Sequence, residues 1–97
     1  MGTASEAAPM AVVHVIRERV RDCSTVAFDE HAIQRMKERN VNEDTVLDVL
    51  RNPDDIGLPT SPNRHRYRKR YGSRDWVDVI FEEDPTQIVV ISVVASK

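Results

Sequence analysis

The sequence predicts an α+β domain, with two to three N-terminal helices packed on a three- to four-stranded antiparallel sheet. Three observations predict it. Apolar residues recur at helical spacing up to about residue 51 and alternate at strand spacing from residue 64 onward. The pair Asn52-Pro53 and a proline-rich loop, 53–63, divide the two regions. Helices then precede strands instead of alternating with them, an order that favours an antiparallel meander over a parallel sheet.

The elements follow in chain order. Residues 1–8 are small and polar and are expected to fray. Pro9 suits the first turn of a helix running to about Asp22, with Val12, Val13, Ile16 and Val20 on its apolar face. Asp29 is a good N-cap for a second helix ending near Asn40. Asn42 caps a third, Glu43 to Arg51, whose Val46, Val49 and Leu50 face inward. Three strands follow at 64–71, 75–83 and 87–95, joined by turns at Gly72-Ser73 and Asp84-Pro85. Ile56 and Leu58 add a short fourth strand. The last strand is apolar on both faces, which predicts a central or doubly covered position. Residues 9–97 thus form one domain.

Composition narrows the function classes. The chain has 97 residues, 40% hydrophobic and 31% charged, enough for one core and too few for two. The single Cys23 excludes an internal disulfide and a cysteine-cluster zinc site, and it reads as a buried thiol. No apolar run approaches the roughly 20 residues that cross a bilayer, and no secretory signal pattern opens the chain. A cytoplasmic protein without membrane association is expected. The net charge of −2 argues against a coat of nucleic acid, but the charges are unevenly placed. Residues 64–74 hold six of the 14 basic residues and no acid, so one cationic patch stands on an acidic body.

Two constellations carry candidate chemistry. In His31-Ala-Ile-Gln-Arg35-Met-Lys-Glu38-Arg39, helical spacing puts Ala32, Ile33 and Met36 in an apolar stripe, with His31, Arg35, Glu38 and Arg39 along one flank. An imidazole can serve there as base, acid or hydrogen-bond acceptor, and Arg35 and Arg39 could clamp a phosphate. Equally, His31 could anchor the helix start and the arginines could pair with Glu38 or other acids. In the strand Arg64-His-Arg-Tyr-Arg-Lys-Arg-Tyr71, alternation puts Arg64, Arg66, Arg68 and Arg70 on one face and His65, Tyr67, Lys69 and Tyr71 on the other. Guanidinium groups bind phosphate in bidentate fashion and tyrosine stacks on bases, which suits RNA or another polyanion. The alternative is an edge strand whose charges prevent aggregation and pair with the acidic body. Asp78, between strand valines, is placed to face this cationic strand.

Other chemistries find little support. His14, His31 and His65 share no ligand spacing and Asp54-Asp55 lacks a third partner, so no metal site and no cofactor is expected. Three glycines make no phosphate-binding loop. The helix after Asn42 carries Glu43, Asp44 and Asp48 against Arg51 alone, a poor recognition helix for DNA.

The run from Phe28 to Val41, the following helix and Asn52-Pro53 resemble a small bacterial family of unknown function. That family has the signature HAxxRMxER and a terminal β-meander, and it looks like a member of the barnase–EndoU–colicin–RelE superfold of metal-independent ribonuclease toxins. The likeness covers about residues 26–95. It implies a RelE-like domain with RNA held across the sheet. It also implies His31, Arg35, Arg39 and Arg68 as catalytic, while the strand pattern above makes Arg64, Arg66, Tyr67, Arg70 and Tyr71 the residues expected to bind phosphate or base. Arg66, Tyr67 and Arg68 match the family's r-Y-r strand. The acidic net charge and the helix expected at 9–22 depart from the pattern. The expectation is therefore a toxin-type ribonuclease acting by acid–base phosphoryl transfer, with an antitoxin or other cognate protein as partner. The alternative is a non-catalytic module binding RNA or an acidic partner, or a homodimer formed through strand 88–94.

Overall fold

The computed structural model describes residues 12–57 and 63–96. Six strands and two helices follow in the order β1 (Val12–Ile16), β2 (Thr25–Asp29), α1 (Glu30–Arg39), α2 (Glu43–Arg51), β3 (Asp55–Ile56), β4 (Arg64–Arg70), β5 (Trp76–Glu83) and β6 (Gln87–Ala95). They form one mixed sheet of spatial order β1-β2-β6-β5-β4-β3. The pairs are antiparallel except β2 with β6, which is parallel.

This corrects the expected architecture in three respects. The sheet has six strands instead of three or four, and it is mixed instead of antiparallel. The described helices number two, and they follow two strands instead of opening the domain. Of the segment expected as a helix over 9–22, residues 9–11 lie outside the described residues and 12–22 are instead β1 and a turn. Val12, Val13, Val15 and Ile16 are β-branched and lose rotamer freedom in a helix, whereas a pleated surface accommodates them. Arg21, at φ 58°, and a bridge between Val20 and Cys23 then reverse the chain. Residues 1–8, expected to fray, and Leu58, expected in the short strand, lie outside the described residues.

The parallel pair arises because both helices lie in the long crossover from β2 to β6. Every residue of β2 except Thr25 is buried, and β2 takes the place beside β6 that the two-sided apolar pattern of 88–94 required. As expected, β6 is interior, flanked by β2 and β5, so it has no free edge to pair with a second copy.

The helices start and stop by local chemistry. The Asp29 carboxylate accepts from the Ala32 N–H at 2.7 Å, and the Asn42 side chain accepts from the Thr45 N–H at 2.9 Å, both as N-caps. Helix α1 ends with Asn40 in the left-handed region at φ 59°. The Val41 N–H then donates to the Met36 carbonyl and the Asn40 N–H to the Lys37 carbonyl, the paired bonds of a Schellman stop. Asn42 is exposed and the cap is its side chain's one hydrogen bond among the described residues, so Asn42→Ala should cost about 0.5–2 kcal/mol. A urea midpoint that does not move would contradict that assignment.

One face of the sheet packs on both helices. Phe28, Val79, Phe81, Ile88 and Val90 meet Ala32 and Met36 of α1 and Val46, Val49 and Leu50 of α2. A smaller apolar group, Ala27, Ile80, Val89 and Ile91, occupies the other face. That second face also carries the arginines of β4, and it positions the candidate site. Among the described residues no helix is long and apolar enough to cross a membrane.

Candidate functional site

The hairpin of β4 and β5 builds the first part of the site. Its register sets Arg64 opposite Glu82, Arg66 opposite Ile80, Arg68 opposite Asp78 and Arg70 opposite Trp76. Alternation keeps Arg64, Arg66, Arg68 and Arg70 on one face, as expected, but each meets an acid there. Arg64 donates to Glu82 at 2.8 Å, and Arg70 donates through Nε to Asp55 at 3.1 Å. Arg66 and Arg68 both donate through Nε to Asp78 at 2.6 Å. Asp78 is fully buried, whereas the two arginine side chains are 49% and 31% exposed. The carboxylate thus acts as a clasp that holds two guanidinium groups upright at the surface. Its hydrogen bond pushes the Arg68 guanidinium pKa further up. Four cations against three carboxylates leave the ladder with one surplus positive charge.

The other face of β4 departs from expectation. Tyr67, expected as an RNA contact, is a core residue, 7% exposed and edge-on to Phe81 with ring centroids 4.9 Å apart. Arg21 lies over its ring and donates to its hydroxyl. Tyr67 turns inward because residue 67 falls on the helix-facing side of the pleat. Tyr71 is partly exposed, and its hydroxyl donates to Asp48 at 2.7 Å. Burial and that carboxylate push the Tyr71 hydroxyl well above its usual range, and the same bond lowers Asp48.

The second part of the site comes from α1. His31 sits exposed in its first turn, and Arg35, one turn on, donates through Nε to His31 Nε2 at 3.4 Å. Arg35 also pairs with Glu38 at 3.0 Å. His31, Arg35 and Glu38 are therefore one linked flank, as helical spacing predicted.

These two parts meet in a cleft of about 390 Å³ lined by Asp29, His31, Arg64, Ile80, Glu82 and Ile91, with Ser92 beside them. The cleft forms where β6 bulges against β5, between the pairs at Ile80 and Phe81. A bulge re-aims side chains, and Ile91 lies at this one. An imidazole, a carboxylate and a guanidinium thus face one concavity with an apolar floor of Ile80 and Ile91. That set can move two protons and stabilise a developing negative charge between them.

The remaining expected residues divide among other places. Arg66 and Arg68 line a smaller cleft of about 170 Å³ with Asp55, Gly57 and Asp78. Arg39 lines a third cleft, with Tyr71 and Trp76. The proposed catalytic quartet of His31, Arg35, Arg39 and Arg68 is thus corrected: His31 and Arg35 stay together, and Arg39 and Arg68 lie elsewhere. Arg39 parts from His31 because eight residues of helix separate them, about 12 Å at roughly 1.5 Å per residue, so the two ends of α1 lie over different parts of β5 and β6.

Glu82 is a site residue that the sequence patterns do not single out. The signal that could have found it is the hairpin itself: a turn centred on Ser73 pairs residue 64 with 82, placing that carboxylate beside Arg64. Among the described residues no group of three or more His, Cys, Asp or Glu is placed to hold a metal ion. Cys23 is buried, and burial together with Glu83 pushes its thiol up, away from nucleophilic use.

Residues 28–94 match the sequence pattern of a family described as a domain of unknown function (DUF4258). All residues of the His31 cleft fall inside that match, and β1 falls outside it. No curated protein and no solved structure matches the chain.

Proposed function

The chain belongs to the DUF4258 family, and on that footing we propose that it is a metal-independent endoribonuclease of toxin type, with the His31 cleft as its active site. The observation that carries this reading is the convergence of His31, Glu82 and Arg64 on one concavity of the sheet face that also bears the arginine ladder. Phosphoryl transfer without a metal needs a base, an acid and fixed positive charge at the phosphate, and the cleft supplies one group for each role.

In this reading the Glu82 carboxylate takes the proton of a ribose 2′-hydroxyl. The 2′-oxygen attacks phosphorus, and the bond from phosphorus to the 5′-oxygen breaks. Protonated His31 delivers a proton to that leaving oxygen, and Arg64 offsets charge on the phosphoryl oxygens. The products are a 2′,3′-cyclic phosphate and a free 5′-hydroxyl. Arg35 steadies the imidazole between turnovers, while Arg66, Arg68 and Arg70 give the approaching backbone half-exposed guanidinium groups. Such an activity belongs in the cytoplasm, where a cognate protein would restrain it.

The test is incubation of the purified chain with single-stranded RNA in excess chelator. We expect fragments ending in cyclic phosphate. RNA left intact at enzyme excess, or cleavage abolished by the chelator, would overturn the proposal. A second reading, a non-catalytic RNA-binding module, rests on the partial exposure of Arg66, Arg68 and Arg70 along one strand face. It predicts salt-sensitive binding with no product.

A further inference from the structure

One polar side chain interrupts the apolar run of β6. From Ile88 to Val94 every residue except Ser92 is aliphatic, and serine packs on a pleated surface less well than valine or isoleucine. Regular alternation would point residues 91 and 92 to opposite faces of the sheet. They line one cleft instead, because the bulge makes Ile91 an extra residue between the pairs of Ile80 with Ser92 and of Phe81 with Val90. With Ile91 on that face, an unbulged strand would turn the next residue toward the helices. The bulge therefore brings a hydroxyl into the His31 cleft.

That hydroxyl has no partner in the fold. Ser92 is half-buried, and its side chain makes no hydrogen bond among the described residues. The one sealed side-chain atom without a partner there belongs to His14, so the Ser92 Oγ is reached from the cleft. The other polar side chains of the cleft already have tasks. Asp29 caps α1, whose N-terminus offsets its charge. Glu82 accepts from Arg64 at 2.8 Å, so its charge is offset too. His31, Glu82 and Arg64 are the acid, the base and the fixed cation of the proposed reaction.

We infer that Ser92 is the second oxyanion donor of this cleft, its hydroxyl donating to a phosphoryl oxygen of the bound RNA. The inference rests on the ribonuclease reading above and adds a residue to it. Attack by the 2′-oxygen builds negative charge on the two non-bridging phosphoryl oxygens, and a guanidinium already shared with Glu82 serves one of them. Strands β4 and β6 flank β5, so their backbones lie about 9–10 Å apart. Arg64 leans over β5 onto Glu82. A phosphate resting on Ile80 then has the guanidinium on its β4 side and the Ser92 hydroxyl on its β6 side. A neutral donor suits that position, since it offers a hydrogen bond without adding charge beside the acid and base.

The test uses DNA oligonucleotides that carry one ribonucleotide each, so that a single linkage can be cut. That linkage is made with oxygen, or with sulfur in place of either non-bridging oxygen. Single-turnover rates are read for the full chain and for Ser92→Ala and Ser92→Thr, with folding checked by circular dichroism. Ser92→Ala should cut the all-oxygen substrate about 10- to 150-fold more slowly, the range of one lost hydrogen bond to a charged group. Sulfur is a weak acceptor, so that loss should shrink on one sulfur diastereomer and persist on the other. Ser92→Thr keeps the hydroxyl and should restore much of the rate. An unchanged rate for Ser92→Ala, or one equal loss on all three substrates, overturns the assignment and leaves the ribonuclease reading standing. A full chain that cuts no RNA removes both.

Discussion

Replacing His31 by Ala should lower the single-turnover rate of RNA cleavage by about 10²–10⁴-fold, the usual contribution of one general acid or base. It should shift the unfolding free energy by no more than about 0.5 kcal/mol. The two halves of this expectation come from one observation. His31 is exposed, and its side chain has a single hydrogen-bond contact, the Arg35 Nε at 3.4 Å. Little of the fold therefore depends on it. A histidine that merely anchored the helix start would give the reverse pattern, with stability lost and rate kept. In this protein the anchoring task is carried by Asp29, whose carboxylate caps α1. Glu82→Gln provides the matching control. The amide still accepts from Arg64, so the strand pairing survives while the proton acceptor is lost, and the rate should fall by a similar factor.

The largest effect on stability is expected at the Asp78 clasp. Arg66→Ala or Arg68→Ala alone leaves the buried carboxylate with one guanidinium partner, so each should cost about 1–2 kcal/mol. The double variant leaves a fully buried charge with no ion-pair partner, and breaking a buried pair in that way costs about 3–5 kcal/mol. The loss should exceed the sum of the two single losses, because either arginine alone can hold the carboxylate. Additivity in a double-mutant cycle, read from chemical denaturation, would show that the clasp is not shared. Asp78→Asn in the double-alanine background should recover much of the loss, since the buried group is then neutral.

The sequence was legible where local chemistry decides structure. Asp29 and Asn42 marked two helix starts because an N-cap depends only on the side chain and the next few N–H groups. The last strand announced its interior position because both its faces are apolar. Legibility failed where distant partners decide. Val12 to Ile16 fits a helical face and a strand equally well by spacing, and it becomes a strand because β2 lies alongside to pair with it. Thr25 to Asp29 is too short to signal a strand by alternation, and its burial on both faces comes from β6, about 60 residues later in the chain. The four sites expected to act together divided for a related reason. Helical spacing placed His31, Arg35 and Arg39 on one flank, but a helix of this length ends well away from where it begins. Glu82 enters the cleft only through the register of the hairpin.

The proposed mechanism requires that RNA be engaged at His31. The chain has three histidines, His14 on β1, His31 on α1 and His65 on β4, and each gives its own imidazole resonances. His14 pairs with Glu43 and His65 stacks on Phe81, both on the helix-covered side. The direct measurement is an NMR titration of these resonances with an oligonucleotide whose 2′-hydroxyls are replaced by hydrogen, so that it binds without being cut. A saturable shift of the His31 resonances is expected, with those of His14 and His65 unmoved. Saturable binding that leaves His31 unmoved would contradict that mechanism.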